Sequence, residues 1–259
     1  MTSMLPLVMV APNGARRTKR DHPQLPIAVS ETVAAARECH EAGAQALHAH
    51  VRDARGRHSL DAGRYRELLA LMAQSVPNMM VQITTESAGI YSSEDQRALL
   101  AELKPPAASV AIREMLSDGD RVAATKTYRD AMEAAIGIQH ILYDAADIAL
   151  LQHAYAEDIV PSALGQVLLV MGQYDERAPA RLSDLKPLQR LVAERLPHVD
   201  AAVCAFGREE TAILRQALRG GWKVRVGFEN NLHSSDGSLA PSNAARVREI
   251  LGGDARGPK

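Results

Sequence analysis

The sequence predicts a (β/α)8 TIM barrel, built as a single domain over residues 1–259, and three observations carry the prediction. About eight apolar runs of strand length are each followed by a stretch with helical spacing, the alternation that yields a parallel sheet covered by helices. The length of 259 residues suits one barrel of this kind. Apolar residues make up 46% and aromatics only 3%, so the core is Ala, Leu, Val and Ile, the set that fills buried parallel strands. A doubly wound open sheet is the alternative layout, but no Gly-x-Gly-x-x-Gly follows any strand. No linker or shift of composition marks a second domain.

The first strand is the apolar run at residues 7–11, ended by the turn Pro12-Asn13-Gly14. Ser30 is the expected cap of a helix over 30–42, with Gly43 as its stop. The second strand, 46–53, contains His48 and His50 and leads to a polar loop at Arg55-Gly56-Arg57 and an amphipathic helix bearing Leu68, Leu69 and Met72. A strand at 79–85 and a helix over 93–103 follow, then a strand at 107–112 and a helix over 123–136. Residues 139–143 and 145–155 form a weaker fifth unit. The run at 166–171 is an unambiguous apolar strand with a helix over 182–196 behind it. Strands at 200–207 and 223–229, with helices over 209–218 and 242–251, complete the series.

Lys plus Arg number 30 against 31 for Asp plus Glu, so no net field draws the chain to nucleic acid or an anionic membrane, and a small ligand is expected. Cys39 and Cys204 lie far apart with no Cys-x-x-Cys, which reads as buried thiols in a reducing compartment. The N-terminal stretch has no basic region, and its apolar run is too short to span a bilayer. A cytoplasmic protein is the resulting expectation.

In a barrel of this kind the site lies at the C-terminal ends of the strands. His48 and His50 stand two apart, so on a strand both imidazoles project from one face. Two neutral imidazoles on one rigid strand supply half of a tetrahedral shell for zinc or a related divalent metal; two polar residues ending a strand near solvent is the competing reading. Glu229 ends the eighth strand, one strand away once the barrel closes, and would complete a His2Glu site with an open position. Alternatively it is an ordinary strand-end carboxylate. Arg225, four residues earlier, shares the face of Glu229, and a guanidinium inside a barrel calls for an anion, from substrate or from the protein. Thr84 and Ser109 end neighbouring strands and offer hydrogen bonds to a carboxylate or carbonyl. The run Arg16-Arg17-Thr18-Lys19-Arg20 leaves the same end of the first strand, either as an anion site or as a solvated surface.

Taken together, Asn13-Gly14-Ala15, His22-Pro23-Gln24-Leu25-Pro26 and Glu41-Ala42-Gly43-Ala44 leading into His48-Ala49-His50-Val51-Arg52-Asp53 resemble the beta-keto acid cleavage enzymes. So do Gln82-Ile83-Thr84-Thr85, the stretch from Val224 to Leu232, and that from Gly237 to Asn243. The resemblance implies a zinc-dependent barrel, usually a homotetramer, that condenses a β-keto acid with acetyl-CoA to give acetoacetate and a new acyl-CoA. It implies His48, His50 and Glu229 as metal ligands, zinc or another divalent ion, and Arg225 as the group assisting substrate activation. Thr84 and Ser109 are then contacts to the keto acid.

The chain departs from the pattern at four places. Asn230 stands where the family has an acid after its metal-binding glutamate, and an amide takes up no proton at neutral pH. Arg16 replaces a glutamate after the first Gly-Ala turn, Gln139-His140-Ile141 lacks the acid of the fifth strand, and Glu86-Ser87 replaces a Gly-Gly. These changes predict a keto acid with an anionic or neutral tail, drawn by Arg16 or Arg17, over a cationic one. The competing functions are a metal- or CoA-binding barrel that has lost catalysis at Asn230, and a metal hydrolase of the amidohydrolase type. The latter places its histidine pair on the first strand and an aspartate on the last.

Overall fold

Alternation of apolar runs and amphipathic segments closes, in a computed structural model describing residues 4–173 and 179–252, into a barrel. The strands in chain order are β1 (Val8–Val10), β2 (Ala46–Ala49), β3 (Val51–Arg52), β4 (His58–Ser59), β5 (Met80–Thr84), β6 (Ala107–Ala111), β7 (Gly137–Leu142), β8 (Gln166–Met171), β9 (Asp200–Ala205) and β10 (Lys223–Val226). All but β3 and β4 form one parallel sheet in the order β1-β10-β9-β8-β7-β6-β5-β2. Closure is made by β1, where Met9 is the register partner of both Ala46 and Arg225. The sheet is therefore the expected TIM barrel. The pair β3 and β4 is a small antiparallel ribbon at its mouth.

The helices are α1 (Val29–Glu41), α2 (Ala62–Ser75), α3 (Ser93–Leu103), α4 (Ile112–Met115), α5 (Arg121–Glu133), α6 (Ala145–Ala156), α7 (Leu182–Arg195), α8 (Glu210–Arg219) and α9 (Asn243–Leu251). Side chains start many of them: Asp61, Ser92, Asp120, Asp144 and Ser242 each accept a hydrogen bond from a backbone N–H of the first turn. Ser30 does not cap α1. The helix begins at Val29, and its open amides are met by Glu31, whose carboxylate accepts from Ile27 N and Ala28 N.

The core has two shells. Outward strand residues such as Leu47, Ile83, Val110 and Val167 pack against the helices. Inside the barrel a second cluster comprises Leu5, Ala111, Ile141, Leu168, Val170, Ala202, Cys204 and Phe206. Both cysteines are free and buried.

Three boundaries differ from the sequence expectation in ways that shape the site. β2 ends at Ala49, so His50 lies just beyond the strand, between β2 and the ribbon. β10 ends at Val226 rather than at 229. The cause is Gly227, whose φ of +144° and close approach to the Ala11 carbonyl oxygen leave no room for a Cβ. The third is α4, which follows β6 directly and packs against α3, α6 and β7. Among the described residues no helix is long and apolar enough to cross a membrane.

Candidate active site at the mouth of the barrel

His48 on β2, His50 after it and Glu229 after β10 converge, although Glu229 is set by the Gly227 turn and not by strand alternation. His48 Nε2 and His50 Nε2 are 3.1 Å apart, and Glu229 Oε2 is 3.6 Å from the first and 3.5 Å from the second. All three residues are buried. Ligand atoms held tetrahedrally about 2.0–2.1 Å from zinc are separated by edges of about 3.3 Å, so the observed triangle has the size of one face of such a shell. Glu229 Oε2 has no hydrogen-bond partner and no contact with solvent, an expense that a cation removes. Three protein ligands leave the remaining position open, the pattern of a catalytic rather than a structural site.

The surrounding groups put His48 and Glu229 in the forms that a metal would require. His48 Nδ1–H donates to Gln82 Oε1 at 2.8 Å, Gln82 Nε2 donates to Gln139 Oε1 at 3.0 Å, and Gln139 Nε2 donates to the Val167 carbonyl at 3.4 Å. This relay, which spans the five adjacent strands β2, β5, β6, β7 and β8, fixes the proton on Nδ1 and turns the Nε2 lone pair to the cluster. Burial pulls the His48 pKa down to about 3, with the Arg225 guanidinium adding to the shift and Glu229 opposing it. Burial opposes the charge on Glu229, but Arg225 together with His48 and His50 outweighs it and holds the carboxyl well below the usual carboxylate range. The contact is direct, Arg225 Nη2 donating to Glu229 Oε1 at 2.9 Å. Neutral imidazole and ionised carboxylate are the forms that bind a metal.

The loop after β1 braces this arrangement. Asn13 Nδ2 donates to the His50 carbonyl at 3.0 Å, and buried Arg52 donates to the carbonyls of Gly14, Arg17 and Gly56. Arg17 reaches across to the Phe228 carbonyl at 2.7 Å and the Asn230 carbonyl at 3.4 Å. Behind the loop, buried Arg246 pairs with Glu210 and Glu249.

A cavity of about 610 Å³ opens over the cluster, bordered by His48, Glu229, Arg225, Thr84, Arg16 and Glu86 on one side. Thr84 Oγ1 accepts from Glu86 N at 3.0 Å, leaving its hydroxyl proton for a ligand. Ser109 is not part of this lining. It is the register partner of Thr84, one layer deeper than Ala111, with a buried hydroxyl that has no partner. Asn230 is also off the cavity wall, with both side-chain polar atoms buried and unpartnered. Of the two arginines expected to meet a substrate tail, Arg16 borders the cavity, whereas Arg17 clamps the Glu229 loop.

Sequence reasoning missed Glu86 as a functional group, treating it only as a departure from Gly-Gly. Its Oε2 lies 3.8 Å from His50 Nε2, and its side chain is 19% exposed to the cavity. Burial, reinforced by Glu229 and Glu114, pushes its pKa upward, while His50 and Arg16 oppose the shift. The signal was available, since Glu86 comes directly after the end of a barrel strand. His58 on the ribbon was also missed; its Nε2 donates to the Glu86 carbonyl at 2.8 Å.

Comparison with known proteins adds sequence and fold relationships. A model of the beta-keto acid cleavage enzyme family matches residues 7–252. The 3-oxoadipate:acetyl-CoA acetyltransferase of Cupriavidus necator is 27% identical over 255 residues, spanning 94% of this chain and 86% of that protein. The 3-keto-5-aminohexanoate cleavage enzyme of Fusobacterium nucleatum is 24% identical over 252 residues, spanning 95% and 89%. Among solved structures, apo ObcA superposes with a TM-score of 0.67 at 14% identity, covering 89% of this chain; the chain spans only 61% of ObcA. At such identity the likeness is one of fold.

Proposed function

Because this chain belongs to the beta-keto acid cleavage enzyme family, we propose that it condenses a β-keto acid with acetyl-CoA at the His48, His50 and Glu229 centre. The products are acetoacetate and a new acyl-CoA. In this exchange the bond between the keto carbon and the CH2 of the keto acid breaks, and a bond from that CH2 to the acetyl carbonyl forms. The remaining acyl group is taken by the sulfur that carried the acetyl group. The observation that supports the reading most strongly is the triangle of ligand atoms, 3.1, 3.5 and 3.6 Å on its edges, facing a cavity that Arg225 also borders.

A divalent ion held by His48, His50 and Glu229, zinc by preference, would polarise the keto oxygen and stabilise enolate-like charge. Arg225 assists activation by binding the keto acid's carboxylate, its second function beside the bond that keeps Glu229 ionised. Thr84 donates its hydroxyl proton to the same acid, and Ser109 supports it from the layer beneath. Arg16 supplies positive charge at the rim, for the keto acid or the phosphates of CoA. To Asn230 we assign placement of the Glu229 loop through its backbone carbonyl and no proton transfer. The proton of the keto acid's CH2 goes to Glu86, a carboxyl whose pKa is raised by burial, and returns from Glu86 to the same carbon when its bond to the original keto carbon breaks. Acetyl-CoA as cosubstrate is supported by the name of one relative, the 3-oxoadipate:acetyl-CoA acetyltransferase; a homotetramer remains the family-based proposal for assembly.

The test is a screen of the zinc-loaded protein with acetyl-CoA and varied β-keto acids, following acetoacetate and acyl-CoA together. Equal formation of both is the expected result. Stoichiometric zinc without cleavage of any acid would favour instead a binding barrel that has lost catalysis.

A further inference from the structure

Resting on the reaction proposed above, we propose that the cavity takes β-keto acids with an uncharged, apolar tail. The wall away from the metal-facing residues is made by Ala111, Ile141, Val170 and Phe206, contributed by β6, β7, β8 and the end of β9. These four, with Tyr143 packed against them, belong to one apolar cluster that continues down the barrel through Leu168 and Cys204. A keto acid whose carboxylate and keto group are engaged near Arg225 and His48 must lay its tail along this wall.

The charged residues on that side are held by other protein groups. Arg113 donates to Asp147 at 2.7 Å and to Asp144 at 2.6 Å, and its guanidinium stacks 4.8 Å from the centre of the Tyr143 ring. Glu114 accepts from Ser87 N at 3.0 Å, Ser87 Oγ at 2.8 Å and Gln96 Nε2 at 2.7 Å, which makes it the anchor of the loop after β5. Arg16 and Glu86 lie on the metal side of the cavity with Thr84 and His48. Among the described residues, then, no uncommitted cation lines the apolar wall to receive a second carboxylate, and no uncommitted acid lines it to receive an ammonium. Either tail would lose its hydration against Ile141, Val170 and Phe206 without a counter-charge from the described residues, a cost large enough to reduce binding by more than about tenfold.

Three six-carbon acids separate the cases, since their tails are neutral, anionic and cationic. With the full-length, zinc-loaded protein and acetyl-CoA, 3-oxohexanoate is expected to exceed both 3-oxoadipate and 3-oxo-5-aminohexanoate in kcat/KM by at least about tenfold. Faster or equal turnover of either charged acid overturns the tail assignment while leaving the reaction standing. Acetoacetate from none of the three overturns the reaction and the proposal with it. A second arm uses Asp144→Asn, which keeps a good helix cap on α6 but removes one counter-charge from Arg113. The 3-oxoadipate to 3-oxohexanoate ratio should rise roughly fivefold, the equivalent of one ion pair at a partly exposed site. An unchanged ratio refutes the role given to the Arg113 pairs.

Discussion

Gln82→Leu removes the acceptor that orients His48 while keeping side-chain volume close to that of glutamine. The His48 Nδ1–H bond to Gln82 Oε1 is 2.8 Å long and buried, so water cannot replace it. Without it the imidazole can carry its proton on Nε2, the atom that must be bare to bind a metal. Loss of an outer hydrogen bond of this kind lowers metal affinity by about 10- to 100-fold, which is roughly 1.4–2.8 kcal/mol. The substitution also strands Gln139 Oε1, which loses its donor at 3.0 Å, at a stability cost of about 1–3 kcal/mol. Gln139→Leu separates the two effects, because it breaks the same Gln82–Gln139 bond but leaves His48 Nδ1 paired. Zinc titration of the apo-protein against a chromophoric chelator, with a melting curve for each variant, reads both quantities. Gln82→Leu should lose zinc affinity and Gln139→Leu should lose mainly stability. Zinc affinity unchanged in Gln82→Leu, or reduced equally in both, would refute the reasoning.

Three further outcomes follow from the same geometry. Glu86→Gln should lower kcat by about 100-fold or more, the usual share of a general base, with zinc content retained; a kcat near the original removes Glu86 from the chemistry. Gly227→Ala should destabilise the fold by at least about 2 kcal/mol, since it adds left-handed strain and a Cβ that meets the Ala11 carbonyl oxygen, and a melting curve that does not move would contradict that geometry. Burial of His140 lowers its pKa from 6.5 to about 4, so between these values the unfolded chain binds a proton that the native state does not. Its contribution is full above pH 6.5 and is lost as pH falls toward 4, amounting to roughly 2 kcal/mol between pH 7 and 5. His140→Asn should remove that share of the pH dependence in urea unfolding curves, and an unaltered slope would exclude it.

The barrel was legible because eight strands are buried on both faces and each is a continuous apolar run followed by a helix. Glu229 and the histidine pair were legible because strand ends are where such barrels place chemistry. What the sequence hid depends on contacts between distant segments or on single backbone turns. The ribbon of Val51–Arg52 with His58–Ser59 is two residues deep, too short for any periodicity. Arg225 and Glu229 do meet, but through the Gly227 turn, since β10 ends before alternation reaches Glu229. The Gln82–Gln139 relay exists only once β5, β6 and β7 lie side by side. Arg16 and Arg17 are indistinguishable as text, yet one borders the cavity and the other clamps the loop behind it. Thr84 reaches the cavity and Ser109 stops a layer short, although both end up at the same level of register.

The central claim is that the acetyl group of acetyl-CoA joins the CH2 of a β-keto acid at the His48, His50 and Glu229 centre. Acetyl-CoA labelled with 13C in its acetyl carbons, incubated with zinc-loaded protein and unlabelled 3-oxohexanoate, tests it directly by NMR. The label should appear in the keto and methyl carbons of acetoacetate, with an unlabelled six-carbon-derived acyl-CoA formed in equal amount, and His48→Ala should abolish both. Labelled acetate without acetoacetate, or the same products from His48→Ala protein free of metal, would contradict the account.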